Sequence, residues 1–156
     1  MTDRPAARMC IFLQRGAAEA ARFYAETLPD TQVDLVQAIG PEMDFVLFRV
    51  MGTPFMAMDG NESFEPRHDH SISIATLDQA ETDRLWAALR EGGEEGRCGW
   101  LRDRFGVHWQ LIPTEATHML SDPDRAAAAR AQQAMMGMTK LDIAAMRAAH
   151  RDDGSS

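Results

Sequence analysis

The sequence has few cysteines and a shortage of basic residues, and each shortage excludes a class of protein. Its 156 residues include two cysteines, too few for a disulfide framework. We therefore interpret Cys10 and Cys98 as reduced thiols of a cytoplasmic protein. Lysine and arginine together number 16 against 24 aspartates and glutamates, which gives a net charge of -8. Because nucleic acids and anionic membranes need a basic face, we expect neither as a partner.

Long apolar runs are also missing. None approaches the roughly 20 residues that span a bilayer. The polar start Met1-Thr-Asp-Arg-Pro5 lacks the apolar core of a signal peptide. Hydrophobic residues nevertheless make up 45% of the chain, which supports a packed interior. The length fits one domain, or two small modules that share one core.

Two stretches of the chain, residues 44–60 and 96–114, follow the same design. Each contains a hairpin of short strands, then a glycine, then a final strand of alternating polarity. Each follows a strand and a helix that carries an adjacent apolar or aromatic pair. The final strands are Gly52-Thr-Pro-Phe-Met-Ala-Met58 and Gly106-Val-His-Trp-Gln-Leu-Ile112, and the helix pairs are Phe23-Tyr24 and Leu85-Trp86. This duplication predicts an α+β fold of two βαβββ modules in a pseudo-two-fold arrangement, with a cavity between their curved sheets.

Module one is predicted to span about 7–60. An apolar run predicts its first strand, and an alanine-rich segment with apolar residues at helical spacing predicts the helix that follows. Alternation and turn residues then predict three more strands. The predicted elements are a strand at Met9–Leu13, a helix at Gly16–Leu28, and strands at Gln32–Ile39, Phe45–Val50 and Pro54–Met58.

Module two is predicted to span about 69–114, after a polar loop that begins at Asp59 and separates the modules. Strict alternation in its first strand puts Ile72 and Ile74 on one face. The predicted elements are a strand at His70–Ala75, a helix at Thr76–Glu91, and hairpin strands at Cys98–Leu101 and Val107–Ile112. The buried side of the helix is predicted to consist of Leu77, Leu85, Trp86 and Leu89.

The segment beyond Pro113 predicts a helical extension at about 121–150. Ser121-Asp-Pro-Asp124 supplies a cap and a proline at the start of a helix that runs to Met136. Gly137 ends this helix. Thr139-Lys-Leu-Asp142 resembles a capping box, with Asp in place of the usual Glu, and predicts a last helix to about Ala149.

These residues resemble the vicinal oxygen chelate superfamily, which includes glyoxalase I, extradiol dioxygenases and bleomycin-resistance proteins. Within it they resemble the PhnB-like branch, whose members are often labelled 3-demethylubiquinone-9 3-methyltransferase. The resemblance spans nearly the whole chain and implies the glyoxalase-like fold. The matching strings are Glu19-Ala-Ala-Arg-Phe-Tyr24, Gly52-Thr-Pro-Phe-Met-Ala-Met-Asp-Gly60, Asp83-Arg-Leu-Trp86 with Gly92-Gly93, Cys98-Gly-Trp-Leu-Arg-Asp-Arg-Phe-Gly-Val-His-Trp-Gln110 and Met135-Met-Gly-Met-Thr-Lys140.

The resemblance also implies where a metal would bind, on the first and last strands of each module. Alternation predicts that His108, Gln110 and Ile112 face the cavity from the last strand of module two. It also predicts that Ser71 and Ser73 face the cavity from the first strand of module two. The internal repeat aligns Gly106 with Gly52, so Met56 is the residue of module one that corresponds to Gln110. In the first strand of the chain, Met9 or Ile11 lies near the ligand position.

The four positions therefore consist of two apolar residues, a serine and a glutamine. A divalent cation needs three or four nitrogen, oxygen or thiolate ligands, so we predict no metal and no cofactor. The one fallback is His70 together with Gln110, if the strand that follows His70 is shifted by one residue. His68-Asp69-His70 is otherwise interpreted as a solvated loop.

The methyltransferase label is not supported by the residues. A methyltransferase of the common class needs a glycine-rich turn after the first strand of a doubly wound sheet. The sequence contains no G-x-G pattern, and its glycine pair Gly92-Gly93 follows a helix.

Three residues are candidates for catalysis. Cys98 lies beside Arg97, and a nearby cation lowers the pKa of a thiol, although a small buried strand residue is the commoner interpretation. His108 is either a general base that faces the cavity or a histidine at its rim. Gln110 is the polar group that would anchor a ligand beside it.

We therefore carry two hypotheses about function. In the first, the chain is a metal-independent protein that binds a small apolar or aromatic molecule between its modules, as a homodimer. In the second, it is an enzyme of the superfamily: a lyase, isomerase or dioxygenase. The Met-rich stretch 135–138 either packs in the core, covers the cavity or packs across the dimer. The predicted ligand-binding residues are Met56, Met58, Ser71, Ser73, Trp100, His108 and Gln110.

Overall fold

The computed structural model describes residues 7–61 and 69–152, and every structural statement below concerns these residues. The chain divides into two compact units that meet in sequence at residues 67 and 68. Most of the loop predicted to separate the modules, residues 62–68, lies outside the described residues, as do the first six residues and the last four. None of the helices in the described ranges is long and apolar enough to cross a membrane.

Unit one consists of a four-stranded sheet and one helix. The sheet has the order β1-β4-β3-β2; β1 is parallel to β4, and the other neighbours are antiparallel. The elements are β1 (Met9–Leu13), α1 (Ala17–Thr27), β2 (Gln32–Gly40), β3 (Met43–Val50) and β4 (Thr53–Asp59). All five elements of module one are thus confirmed, with bounds within two residues of those predicted.

Alternation along β3 and β4 builds the core of unit one. Phe48 and Phe55 are cross-strand neighbours, and both lie under α1, whose Tyr24 is fully buried. The Phe48 ring centroid lies 6.3 Å from that of Tyr24 and 5.6 Å from that of Phe55. The helix packs through its small alanines, because these allow a close approach to the sheet.

A buried carboxylate at the end of β4 joins the start of α1 to the start of β3. Asp59, the last residue of β4, accepts a hydrogen bond of 2.8 Å from the backbone N–H of Ala17 and one of 2.9 Å from that of Asp44. Ala17 begins α1, so the carboxylate also lies at the positive end of the helix dipole. These contacts fix the helix against the ends of β3 and β4.

Unit two repeats this arrangement and adds three helices. Its sheet has the order β5-β8-β7-β6, with β5 parallel to β8 and antiparallel pairs elsewhere. Strand order and strand directions therefore match those of unit one, which confirms the predicted α+β fold of two βαβββ modules. The elements are β5 (Ile72–Thr76), α2 (Gln79–Arg90), β6 (Glu94–Glu95), β7 (Trp100–Arg102), β8 (His108–Pro113), α3 (Thr114–Leu120), α4 (Arg125–Met136) and α5 (Ile143–Arg151).

The predicted start of α2 was wrong. Asp78 is the N-cap, since its carboxylate accepts the N–H of Glu81 at 2.8 Å, and the Glu81 carboxylate accepts the N–H of Leu77 at 2.7 Å. Leu77 therefore lies outside the helix and is 82% exposed rather than buried. Thr76 ends β5, where its hydroxyl contacts that of Thr82 at 2.6 Å inside the core.

Two further predictions need correction. The hairpin strand begins at Trp100, because Cys98 and Gly99 form a left-handed turn with φ angles of 56° and 81°. The segment after β8 also contains three helices rather than two, since α3 follows Pro113 directly. The last helix begins after Asp142, whose carboxylate accepts the N–H of Ala145 at 2.9 Å. The predicted capping box from Thr139 was therefore wrong.

The left-handed turn holds the helical extension against the sheet of unit two. The N–H groups of Cys98 and Gly99 donate to the carbonyls of Met138 and Thr139, each at 2.8 Å. On α2, the Gln79 amide donates to the Leu141 carbonyl at 3.0 Å and accepts the N–H of Ile143 at 2.8 Å. The extension thus satisfies its polar backbone groups with partners from the first half of the unit.

An ion pair and an apolar cluster complete this contact. The Lys140 ammonium lies 2.6 Å from the Asp83 carboxylate, and this hydrogen bond holds the pKa of Asp83 below its usual range. Leu141 lies in an apolar cluster with residues from all three added helices. The buried members are Ala116, Met119, Ala131, Leu141 and Met146, with Ile112, Leu120, Met135 and Met138 packed against them.

Substitution of Gly99 tests the importance of this turn. A Cβ at Gly99 would lie 2.7 Å from the Leu111 carbonyl oxygen and 3.3 Å from Leu141 Cγ. The left-handed backbone alone costs a non-glycine residue about 1–2 kcal/mol, and the clash adds to that. We expect Gly99→Ala to lower the free energy of unfolding by about 3 kcal/mol or more, measured by urea denaturation.

Gly52 provides the matched control. It has the same φ of 81°, but a Cβ there would meet no atom within 4 Å. Gly52→Ala should therefore cost only the backbone term, about 1–2 kcal/mol. Equal losses in the two variants would show that the close packing around Gly99 contributes nothing.

Candidate functional site

Each sheet has one face covered by its helix and one open face. In β8 the side chains of Trp109 and Leu111 are fully buried, whereas those of His108, Gln110 and Ile112 are half-buried. The predicted alternation of this strand is therefore confirmed. Because neighbouring strands in register share a face, β8 defines which residues of β5 and β7 lie on the open face.

The open face of unit two brings together five of the predicted residues. Ser73 of β5 and Trp100 of β7 are the register partners of Gln110 on either side. The Gln110 amide donates a 2.9 Å hydrogen bond to the hydroxyl of Ser71. His108 lies two residues before Gln110 on the same side of β8. Their location on one face is thus observed, while their role in binding stays a prediction.

Sequence reasoning missed a charged pair on this face. Arg102 is the register partner of His108, and Glu94 is that of Arg102. The Arg102 guanidinium lies 2.7 Å from the Glu94 carboxylate. The signal was present, because Arg102 follows Trp100 by two residues and must share its face in a strand.

The open face of unit one is apolar in its middle, and Arg49 lies at one end of this face as the register partner of Pro54. Cys10 and Phe12 of β1 are the register partners of Met56 and Met58. On the other side of β4, Leu47 and Phe45 pair with the same two methionines. The faces of the two units therefore differ in chemistry, although their strands are arranged alike.

The first-strand assignment needs correction. Ile11 is only 6% exposed and pairs with Ala57 on the covered face, and Met9 has the same parity as Ile11. Cys10 therefore takes the open position beside Met56. Burial raises the pKa of the Cys10 thiol, which reduces its thiolate fraction and its reactivity as a nucleophile.

The other thiol, Cys98, lies in the turn before β7 and not on a strand of the open face. Its positive φ and its backbone bond to Met138 account for its place in the chain as part of the turn that holds the extension. Among the methionines of that extension, Met135 and Met138 pack against the apolar cluster, which favours the core interpretation. Met136 is exposed.

His70 and Gln110, the alternative pair of metal ligands, do not lie on the same face. His70 precedes β5, is exposed, and its Nδ1 lies 2.9 Å from the Asp69 carboxylate. Its parity is that of Ile72 and Ile74, opposite to Ser73, so it does not join Gln110. Within residues 7–61 and 69–152, no group of three or more histidine, cysteine, aspartate or glutamate side chains could hold a metal ion. His68 lies outside these ranges.

Comparison with known proteins places this geometry in context. The model of a family described as 3-demethylubiquinone-9 3-methyltransferase matches residues 6–112. A Bacillus cereus protein described as PhnB, with the same methyltransferase name, has a similar structure with a TM-score of 0.62 and 22% identity over 70% of this chain and 100% of its own. A Pseudomonas aeruginosa protein has a similar structure with a TM-score of 0.56 and 22% identity, over 69% of this chain and 98% of its own.

Structures of the fosfomycin resistance protein FosX of Listeria monocytogenes are also similar. One, complexed with Mn(II) and sulfate, gives a TM-score of 0.51 at 14% identity over 71% of this chain and 92% of its own. Identities this low show a shared fold alone. The family match confirms the resemblance to the branch labelled 3-demethylubiquinone-9 3-methyltransferase, and the similar structures confirm the fold that this resemblance implied. No curated protein matches the sequence.

A double substitution tests whether residues 71 and 110 converge on one point. The hydrogen bond between their side chains predicts that Ser71→His with Gln110→Glu creates a two-ligand site for Zn²⁺. We expect calorimetry to detect micromolar Zn²⁺ binding by the double variant and at least tenfold weaker binding by the parent.

The two single variants serve as controls, because one imidazole or one carboxylate alone holds Zn²⁺ weakly. A double variant that binds Zn²⁺ no better than either single variant would contradict the proximity of the two side chains.

Proposed function

The chain belongs to the family described as 3-demethylubiquinone-9 3-methyltransferase, and from this premise and its open sheet faces we propose a metal-independent small-molecule-binding protein. Its ligand is a small, largely apolar or aromatic molecule. The observation that carries the proposal is the pairing of Gln110 with Ser71 on an open face that also presents Trp100.

The chemistry of the open face in unit two supports this proposal. Trp100 is 36% exposed and offers an aromatic surface, while Gln110, Ser71 and Ser73 offer neutral hydrogen-bonding groups. Small-molecule sites usually combine apolar surface with a few convergent polar groups of this kind. Neutral amides and hydroxyls orient a ligand, but they are weak ligands for a borderline cation such as Zn²⁺.

The open face of unit one, considered by itself, gives independent support. Met56 and Met58 are flexible, polarizable side chains that adapt to varied apolar ligands. Phe12 beside them is exposed. Thioethers and a thiol of raised pKa favour apolar contact over the binding of a hard cation.

Methyl transfer is not part of the proposed function. The common methyltransferase fold is a doubly wound parallel sheet with a nucleotide site at its strand ends. Here each sheet has one parallel pair, and its other neighbours are antiparallel. The family name therefore describes a match in sequence and does not supply a mechanism for these residues.

A second candidate function is an enzyme of the superfamily, and His108 favours it. The His108 side chain belongs to the open face, two residues from Gln110, and imidazole is the side chain that most often serves as a general acid or base. Conversion of a bound compound, measured by mass spectrometry and lost in His108→Gln, would favour this candidate over binding alone.

Binding is tested by a thermal-shift screen of apolar and aromatic metabolites in buffer that contains EDTA. We expect at least one compound to raise the melting temperature and to bind with one-site stoichiometry. Trp100→Ala and Gln110→Leu should each weaken that compound about tenfold, because one removes the aromatic contact and the other removes the hydrogen bond.

Gln132→Leu, the same substitution at an exposed position of α4, is the matched control and should leave affinity unchanged. Binding that needs an added metal, or an affinity that is unchanged in both Trp100→Ala and Gln110→Leu, would contradict the proposal.

We also propose a homodimer. The edge strand β2 supports it, since Leu35, Val36 and Ile39 are exposed on that strand and an unpaired edge with apolar side chains favours association. We expect light scattering at micromolar concentration to give about twice the 17.4 kDa chain mass. Val36→Glu should shift the mass toward the monomer, whereas Leu77→Glu, at another exposed apolar site, should not. A monomeric parent protein would reject this proposal.

A further inference from the structure

The open face of unit two changes in polarity along its strands. At one end, Ala75 and Ile112 are apolar register partners, and Ile112 packs against the apolar cluster of the helical extension. The middle row contains Ser73, Gln110 and Trp100. The far row contains His108, Arg102 and Glu94. A ligand on this face would therefore meet the aromatic surface of the middle row and then the charged end.

Hydrogen-bond donors dominate the polar part of the face. The Arg102 guanidinium is a permanent donor with a fork that fits a carboxylate. The Gln110 amide, the serine hydroxyls and one imidazole nitrogen can donate as well. Of the strand residues on this face, only Glu94 carries a negative charge. The face thus favours a ligand group that accepts hydrogen bonds.

Glu94 is the present partner of Arg102, and it is poorly fixed. It lies in the two-residue edge strand β6, and its side chain is 72% exposed. An exposed ion pair of this kind is weak, because water screens it and both side chains lose freedom to form it. A carboxylate from a ligand can therefore replace that of Glu94 at little cost.

From these observations we infer that the open face of unit two binds an aromatic carboxylate. The ring lies against Trp100 and the carboxylate pairs with Arg102, about 6.6 Å farther along β7 in backbone distance. The inference rests on the proposed function and specifies its ligand class. It assigns Arg102 the selection of the charged group and Glu94 the role of a competitor.

The negative net charge of the chain separates a local effect of Arg102 from a long-range attraction of anions. A net charge of -8 disfavours anions in general. Preference for an acid over its neutral amide can then arise only from local groups such as Arg102, and a long-range attraction does not explain it. The preference should also persist at physiological salt, where charges beyond roughly 8 Å are screened.

The test compares acids with their amides at matched shape. The probes are benzoate, phenylacetate, 2-naphthoate and indole-3-acetate, each with its primary amide, titrated by calorimetry. We expect at least one acid to bind more tightly than its amide by about tenfold. Arg102→Gln should remove this preference, and Glu94→Gln should strengthen acid binding about threefold by removing the competing carboxylate. Neither substitution should change binding of the amide.

Glu42→Gln is the matched control, because Glu42 forms a similar exposed pair with Arg15 at 2.6 Å in unit one. It should leave acid binding unchanged. Acids and amides that bind equally, or an acid preference that survives Arg102→Gln, would overturn the inference while the proposed binding function stands. Binding of none of the acids also overturns it. If the wider metabolite screen finds no ligand either, the proposed function fails with it.

Discussion

The turn at Cys98 and Gly99 is the contact on which the structure of unit two depends. Its left-handed backbone points two N–H groups at the carbonyls of Met138 and Thr139, and the missing side chain at Gly99 leaves room for Leu141. The Gly99 carbonyl in turn accepts the N–H of Leu111 in β8 at 2.8 Å. One turn therefore joins the helical extension to the strand that carries Gln110, and it sets where β7 begins.

This contact also explains why two distant strings of the sequence occur together. The strings that begin at Cys98 and that end at Lys140 carried the resemblance to the PhnB-like branch, and they bind each other through their backbones. This contact uses the left-handed turn and the missing side chain of Gly99, but it makes no use of the Cys98 thiol. Packing thus accounts for the presence of both strings, and the residues that we propose as ligand contacts, Trp100 and Arg102, follow the turn in β7.

Alternation in the sequence predicted the strands well, because a half-covered sheet imposes a period of two on its side chains. It predicted the open face of β8 correctly. It failed in β1, because the five residues of this strand are all apolar and show no alternation, so the predicted open face was wrong by one residue. Leu77 was misplaced because propensity favours a helix there, while the Asp78 and Glu81 carboxylates cap it later. Helix α3 was missed because its start at Pro113 lacks a side-chain cap.

The same fold presents different chemistry in its two copies, and the cause lies in single positions. Cys10 and Ser73 occupy equivalent places on β1 and β5, as Met56 and Gln110 do on β4 and β8. A fold maintained by its covered faces leaves these open positions free to vary, because their side chains contribute little to the core. Sulfur at one pair suits apolar contact, and oxygen and amide groups at the other suit hydrogen bonding. Both copies also carry an arginine at one end of the open face, Arg49 beside Pro54 and Arg102 beside His108, so the two faces differ mainly in the neutral side chains next to that charge.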